Sequence, residues 1–164
     1  MKRLLVYIIC FYSGYVISQD NLSALLHKHN THEIPYIHIQ NLDTLKSKII
    51  VLDAREFNEY KVSHIKDAVW IGYNNFNLET VLKQFPDKNK DIVVYCSLGI
   101  RSEDIAIRLK NAGYSNVNNL YGGIFEWINN HYTVYNSEEK ETDSIHAFSK
   151  KWSKWLTNGI KIYE

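Results

Sequence analysis

Short apolar runs alternate with amphipathic stretches along the middle of this chain, and no other feature of the sequence constrains the fold as strongly. Continuous apolar runs at residues 49–52, 68–71 and 92–95 have the length and composition of strands buried on both faces. Residues 117–120 form a shorter fourth run. We therefore expect a sheet of at least four strands.

Two of the intervening stretches have apolar residues spaced three and four positions apart, as one face of a helix requires. Residues 77–85 are followed by Pro86, and residues 102–112 by Gly113, and both residue types commonly end helices. Strand and helix in alternation predict an α/β fold with a parallel sheet and helices on both faces. Such sheets bind ligands at the carboxyl ends of their strands.

Composition excludes several classes of protein. The 164 residues suffice for about one domain, and a formal net charge of +1 provides no basic field for a nucleic-acid partner. The 2 cysteines exclude a disulfide framework and a four-ligand zinc site. Residues 19–35 contain His27, His29 and His32, but no cysteine or carboxylate at fixed ligand spacing. We interpret this stretch as a solvated N-terminal segment and expect neither a metal nor a cofactor.

The first residues have the pattern of an export signal. Lys2 and Arg3 precede an apolar stretch that extends to Ile17 and is too short to span a bilayer. Compact residues before Gln19 suit cleavage after Ser18, so residues 1–18 are predicted to be a signal peptide, with an uncleaved N-terminal anchor as the alternative. The mature protein is then expected to be periplasmic or secreted and to have no contact with a membrane.

Cleavage would remove Cys10 and leave Cys96 unpaired in an oxidising compartment, where single cysteines are unusual. Such a residue is either an intermolecular disulfide partner or a reactive thiol. Cys96 directly follows the strand predicted at residues 92–95. It therefore lies at the carboxyl end of a central strand, where an α/β sheet binds its ligands.

The residues after Cys96 favour a reactive thiol. We interpret them as a strand-to-helix turn with the sequence Cys96-Ser97-Leu98-Gly99-Ile100-Arg101-Ser102. Unpaired backbone N–H groups at a helix N-terminus favour the thiolate, and a loop that curls around the sulfur forms an anion-binding nest. Gly99 permits unusual backbone angles, and Arg101 adds a permanent positive charge. The alternative is that Cys96 is a small buried hydrophobic residue.

These residues, together with others at suitable spacing, resemble a single rhodanese-like domain over residues 36–130. Its first half is matched by Val51-Leu52-Asp53-Ala54-Arg55-Glu56, Glu59-Tyr60 and His64-Ile65-Lys66-Asp67-Ala68. Its second half is matched by Tyr95 to Ser102, Ala112-Gly113-Tyr114, Val117, Leu120 and Gly122-Gly123-Ile124 to Trp127. The resemblance implies the rhodanese α/β fold and a cysteine that carries a sulfane sulfur as a persulfide.

The resemblance also implies a reaction. The Cys96 thiolate attacks the outer sulfur of thiosulfate or of a persulfide donor and passes that sulfur to a thiol or to cyanide. The backbone N–H groups of Ser97, Leu98, Gly99, Ile100 and Arg101 would stabilise the persulfide anion. Arg101 would hold an anionic donor or brace the loop. Four residues separate Cys96 from Arg101, as in sulfurtransferase loops, whereas related phosphatases have five. A non-catalytic persulfide carrier or binding module of the same fold remains the main alternative.

Three further residues are candidates for a supporting role. The resemblance implies that Asp53 and Arg55 tie neighbouring loops together, with direct binding of an anion by Arg55 as the less favoured role. His64 matches the family histidine, although Ser63 stands where glycine is usual. We expect His64 to make a structural hydrogen bond rather than to transfer a proton. Gly122 and Gly123 are interpreted as a tight turn before a helix over residues 124–130.

Residues 131–164 extend beyond the region of resemblance. Apolar and aromatic residues recur here at helical spacing, namely Ile145, Phe148, Trp152, Trp155 and Leu156. We expect a C-terminal helix that docks on the domain and buries its tryptophans. The alternative is an exposed aromatic stripe that binds a protein partner.

Overall fold

A computed structural model describes residues 16–45 and 49–163 of the chain. Of the predicted signal peptide, residues 1–15 lie outside the described residues, and residues 16–18 form the start of the first helix. Within the described part of the chain, none of the helices has both the length and the apolar character needed to cross a membrane.

A five-stranded parallel sheet organises the structure, with the strand order β1-β5-β4-β2-β3. Its strands are β1 (Tyr36–Ile37), β2 (Ile50–Asp53), β3 (Val69–Trp70), β4 (Asp91–Tyr95) and β5 (Asn116–Leu120). Each of the four predicted runs overlaps one of these strands, so the expectation of a parallel α/β sheet is confirmed. β1 was not predicted, because two residues are too few to produce a pattern.

Six α-helices accompany the sheet in the described part of the chain. They are α1 (Val16–His29), α2 (Ile39–Leu45), α3 (Phe57–Val62), α4 (Leu78–Gln84), α5 (Arg101–Asn111) and α6 (Gly123–Asn129). α4, α5 and α6 confirm the helices predicted at residues 77–85, 102–112 and 124–130. The side chain of Asn77 caps α4 by accepting a hydrogen bond from the Thr80 N–H at 3.1 Å.

Alternate residues of β4 pack on opposite faces of the sheet. Ile92 and Val94 belong to the apolar cluster that includes α4 and α5, whereas Val93 and Tyr95 belong to the cluster that includes α1, α2 and α6. All four side chains are fully buried. Helices therefore cover both faces, as expected, and β4 carries Cys96 out of the middle of the sheet.

The expectation that residues 19–35 form a solvated segment is wrong. Most of this stretch belongs to α1, whose Leu22 and Leu26 are buried in the same cluster as Val93 and Tyr95. Ile34 is also buried, in the cluster on the opposite face of the sheet. The abundance of His and Asn concealed leucines at helical spacing, which are sufficient to anchor the segment on the domain.

The expectation of a C-terminal helix is also wrong, although the extension does dock on the domain. It forms an antiparallel pair of β6 (Val134–Tyr135) with β7 (Glu141–Thr142), and a parallel pair of β8 (Ser144–His146) with β9 (Ile160–Ile162). Among the described residues of the extension, a 3₁₀ turn at Ser153–Trp155 is the one helical element. Ile145 and Leu156 are buried, but Trp152 and Trp155, whose burial was predicted, are only partly buried. Strand pairing takes the place of the helix that the spacing suggested.

Candidate active site

Cys96 lies at the first position after β4, in the turn that leads into α5. Its side chain is almost fully buried, with 2% of its surface exposed. Its backbone carbonyl accepts a hydrogen bond from Ile124 at 2.9 Å, and the carbonyl of Ser97 accepts one from Phe125 at 3.1 Å. The start of α6 therefore fixes the base of the loop.

Two glycines allow the loop to take this shape. Gly123 has a φ of 56°, and a Cβ atom there would lie 2.2 Å from the carbonyl oxygen of Cys96. Gly99 has a φ of 102°, a conformation that side-chain-bearing residues rarely adopt, and its N–H donates to the sulfur of Cys96 at 3.1 Å. The sequence indicated only a tight turn before a helix at Gly122 and Gly123, but Gly123 also shapes the turn that holds the thiol.

The surroundings of the Cys96 sulfur favour the thiolate. Burial by itself raises the pKa of the Cys96 thiol, because a buried charge loses its hydration. The positive charge of Arg101 and hydrogen bonds from Ser102 and from the Gly99 N–H outweigh burial and lower the pKa below its ordinary value. The Ser102 hydroxyl lies 3.5 Å from the sulfur. Of the residues predicted to form the nest, Gly99 donates its N–H to the sulfur. Ser102, one residue beyond the predicted nest, also donates a hydrogen bond to it.

Arg101 braces the loop rather than pointing freely into it. Its two terminal nitrogens donate to the two carboxylate oxygens of Glu59 at 2.7 and 2.8 Å, and one of them also donates to the Ser97 hydroxyl at 3.0 Å. Burial alone raises the pKa of the Glu59 carboxyl, but the hydrogen bonds and the charge of Arg101 reverse this and lower it. A two-pronged ion pair of this kind fixes both partners in direction as well as distance.

A buried polar network supports the far side of the loop. The side-chain amides of Asn30 and Asn119 both donate to the Gly99 carbonyl at 2.8 Å. Asn119 also donates to the buried Glu103 carboxylate at 3.1 Å and accepts from the Ser102 hydroxyl at 2.7 Å. The end of the first helix therefore holds the loop that carries the thiol.

Asp53 and Arg55 form a separate, fully buried ion pair at the carboxyl end of β2. Their side chains are fully buried and lie 2.6 Å apart, and Arg55 also donates to the Ser63 carbonyl at 2.6 Å. Burial by itself lowers the pKa of the Arg55 guanidinium, but Asp53 and Tyr95 raise it above its ordinary value. With no exposed surface, Arg55 ties two loops together and has no face on which to bind a donor.

His64 is held by structural contacts. Its ring stacks on Tyr60 at 4.1 Å between centroids, and Nδ1 lies 3.2 Å from the Tyr60 carbonyl. Nε2 lies 3.4 Å from a carboxylate oxygen of Glu139 in the C-terminal extension. His64 also exchanges backbone hydrogen bonds with Tyr135. These contacts attach the extension to the domain and leave His64 off the wall of the cavity at Cys96.

A cavity of about 160 Å³ opens onto Cys96. The loop contributes one side of it, and two residues of the C-terminal extension, Phe148 and Trp152, contribute the other. Sequence reasoning placed neither in the site, nor Glu59, Asn30 or Asn119. Only Glu59 belonged to the matched pattern, and its contact with Arg101, like that of Asn30 with Gly99, joins segments far apart in the chain.

The arrangement is suited to covalent chemistry on sulfur. It presents a buried thiol of lowered pKa, N–H donors aimed at that sulfur, and a small cavity in front of it. Among the residues that the structure describes, no group of three His, Cys, Asp or Glu side chains is placed to hold a metal ion. The charge of Arg101 and the hydrogen bonds to the sulfur lower the pKa of this nucleophile.

Comparisons with known proteins agree with this geometry. The chain is 33% identical over 95 residues to a tRNA uridine(34) hydroxylase from Buchnera aphidicola, a match that covers 55% of this chain and 30% of that protein. A protein of the same name from Listeria monocytogenes is 36% identical over 94 residues, covering 54% and 29%. The chain thus spans less than a third of the length of these relatives.

Two solved structures show the same fold. A crystal structure from Bacillus halodurans has a TM-score of 0.57 and 26% identity, and the match covers 73% of this chain and 86% of that one. A thiosulfate sulfurtransferase from Pseudomonas aeruginosa has a TM-score of 0.60 and 21% identity, covering 86% and 26%. The family model for the rhodanese-like domain matches residues 35–130, more than half of the sequence. The chain therefore belongs to the rhodanese-like domain family.

Proposed function

We propose that this protein is a sulfurtransferase that carries a sulfane sulfur as a persulfide on Cys96. The observation that supports this most directly is the Cys96 sulfur itself, which has a lowered pKa, accepts the Gly99 N–H at 3.1 Å and faces a cavity. A thiolate is the form that attacks sulfur, and it needs no separate base. The four-residue spacing between Cys96 and Arg101 leaves a nest suited to one additional sulfur atom.

In the first step the Cys96 thiolate attacks the outer sulfur of a donor. With thiosulfate, a bond forms between Sγ and the outer sulfur, the S–S bond of the donor breaks, and sulfite leaves with the electron pair. The Cys96 persulfide anion that results carries one negative charge, as the thiolate did. The N–H of Gly99 and the charge of Arg101 stabilise that anion where they already lower the pKa of the thiol.

In the second step an acceptor removes the outer sulfur. A thiolate or cyanide attacks it, the bond to Sγ breaks, and the electron pair returns to Cys96 as the thiolate. The product is a new persulfide or thiocyanate. Each step transfers neutral sulfur between nucleophiles, so no oxidant, reductant or cofactor takes part.

The relatives named tRNA uridine(34) hydroxylase suggest another use of the domain, but we favour sulfur transfer here. The chain's formal net charge of +1 offers no general excess of positive charge for RNA. The chemistry that its described residues support is centred on Cys96. We therefore propose sulfur transfer as the chemistry of the region in common with these relatives.

The intact mass of the protein after treatment with a sulfur donor tests the proposal. We expect a gain of about 32 Da, one sulfur atom, that is reversed by a reductant and is absent in Cys96→Ala. Treatment with thiosulfate and with an organic persulfide covers both classes of donor. A folded protein whose Cys96 still alkylates, but gains no mass with either donor, would exclude sulfur transfer.

We also propose that the protein is exported. The support is the basic pair Lys2 and Arg3, the apolar stretch that follows and the compact residues before Gln19. The mass of the protein recovered from its native host tests this, because cleavage after Ser18 gives a chain that begins at Gln19. A mature protein that retains residues 2–18 would contradict cleavage.

A further inference from the structure

The C-terminal extension contributes an apolar wall to the cavity at Cys96. The two residues of that wall are Phe148 and Trp152, and Leu98 and Ile100 of the loop line the cavity with them. The ring of Phe148 also covers the guanidinium group of Arg101, whose Cζ atom lies 4.7 Å from the ring centroid. The extension therefore changes the chemical character of the site as well as its shape.

The positive charge at this site is already matched. Arg101 is the one cationic side chain among the described residues that line the cavity, and Glu59 binds both of its terminal nitrogens. A dianion such as thiosulfate would thus approach a thiolate with little net positive charge beside it. An uncharged group gains more from this cavity, because the apolar walls exclude water around it.

The size of the cavity indicates the size of that group. Its volume is about 160 Å³. An engineered apolar cavity of about 150 Å³ binds benzene. A six-membered ring or a branched alkyl group of similar volume would fill the space between the loop and the rings of Phe148 and Trp152.

We propose that Phe148 and Trp152 select an organic persulfide donor, R–S–SH, whose R group is apolar and about the size of a ring. This inference rests on the proposed sulfur transfer and specifies its donor. The Cys96 thiolate bonds to the outer sulfur, and the S–S bond of the donor breaks. The electron pair leaves with the inner sulfur, which takes the proton that the outer sulfur carried. The products are the Cys96 persulfide anion and the thiol R–SH.

Rates of Cys96 loading with matched donors test the proposal. The probes are benzyl persulfide, mercaptoacetate persulfide and thiosulfate, and the measured quantity is the ratio of the second-order rate constants for the first two. The two persulfides react by the same chemistry and differ in whether R is apolar or charged. A ratio is independent of the fraction of active protein, so a partly unfolded variant still gives a valid result.

We expect the wild-type protein to load at least about tenfold faster from benzyl persulfide than from mercaptoacetate persulfide. Trp152→Ala should lower this ratio about tenfold, because it removes the largest apolar surface of the wall. Phe148→Ala should lower it less, and Trp152→Phe should restore most of it. Ile160→Ala is the matched control, because this apolar residue of the same extension is 60% exposed and lies outside the cavity lining.

The outcomes separate the two proposals. A ratio near one in the wild-type protein, or an unchanged ratio in both Trp152→Ala and Phe148→Ala, would overturn the selection of apolar donors while leaving sulfur transfer intact. Failure of all three donors to load Cys96 would overturn sulfur transfer itself. A ratio that falls equally in Ile160→Ala would show a general effect of the extension and would also overturn the assignment to these two rings.

Discussion

Two arginine–carboxylate pairs lie beyond neighbouring strands of the sheet, and they differ in what surrounds them. Asp53 ends β2, and neither it nor Arg55 has exposed surface in its side chain. Arg101, by contrast, lies beyond β4, has a side chain that is 15% exposed and lines the cavity at Cys96. Both pairs have short contacts, of 2.6 and 2.7 Å. The same type of ion pair is therefore fully buried at the end of one strand and lies beside the reactive Cys96 at the end of the other.

The two pairs also differ in how far apart their members lie in the chain. Asp53 and Arg55 are two residues apart, so that pair forms within one turn of backbone. Glu59 and Arg101 are 42 residues apart, and their pair joins α3 to the start of α5. The first pair stabilises a local loop, while the second closes the site.

The largest expected difference is in stability. Arg55→Met leaves Asp53 buried without its partner and should lower the free energy of unfolding by about 3–5 kcal/mol. Arg101→Met should lower it less, by about 1–3 kcal/mol, because Glu59 keeps the hydrogen bonds that it accepts from the Ser97 hydroxyl at 3.1 Å and from the Glu56 N–H at 3.0 Å. Urea unfolding followed by tryptophan fluorescence measures both. Equal losses in the two variants would remove the distinction between a sealed pair and an open one.

The next effect is on the rate of persulfide formation. Arg101→Met should slow loading of Cys96 by about a hundredfold, since it removes the charge nearest the developing persulfide anion. The rate is measured by intact mass under conditions where the variant is folded, as shown by its circular dichroism. Loading of folded Arg101→Met at the wild-type rate would mean that Arg101 acts only in folding.

The pH dependence of Cys96 alkylation follows from the same charge. The thiolate is the reactive form, so the rate rises as pH increases through the pKa of Cys96. That pKa is lowered in the folded protein, so the native midpoint should lie below that of the urea-unfolded chain. Arg101→Met should move the native midpoint to higher pH. Iodoacetamide kinetics across pH measure this, and identical midpoints in native and unfolded protein would contradict it.

The smallest expected effect comes from neutralising Glu59. Glu59→Gln keeps the shape of the side chain but leaves the charge of Arg101 unmatched, so loading from thiosulfate should speed up about threefold. Loading from benzyl persulfide in the same variant is the control and should change less. A fall in the thiosulfate rate would show that the pair works only as a brace.

The same variant gives a second result that depends on pH. The pKa of Glu59 is lowered in the folded state, so its contribution to stability is complete above the ordinary carboxyl range, about 4.3, and is lost as pH falls through the folded value. The free energy of unfolding should therefore be larger for the wild-type protein than for Glu59→Gln at neutral pH. The difference between the two should decrease below about pH 4. Urea midpoints measured at several pH values test this.

The sequence predicted the parts of the molecule that depend on neighbouring residues. The strand at Asp91–Tyr95, the turn at Cys96 and the helix at Arg101–Asn111 are consecutive in the chain, and each has a local pattern. The fold class follows from the order of such elements, and the resemblance of the motifs identified the family. These expectations did not depend on long-range contacts.

The parts that were missed depend on such contacts. Asn30 reaches the Gly99 carbonyl from 69 residues away, and Phe148 and Trp152 enter the site from a segment that resembled a helix. The apolar residues of that segment have helical spacing, but they lie in a strand, in a turn and in the cavity wall. The pairing of β8 with β9 outweighed the local preference for a helix. A single sequence contains no record of these pairings.

The central claim is that Cys96 passes a sulfur from donor to acceptor, and a chase experiment tests it most directly. Cys96 is loaded from a donor whose outer sulfur carries a heavy isotope, excess donor is removed, and an unlabelled thiol acceptor is added. We expect the label to leave the protein and to appear in the acceptor at the same rate, and this rate to be fast enough to account for steady turnover. We expect no label to bind to Cys96→Ala. Label that stays on the protein, or turnover that continues in Cys96→Ala, would contradict it.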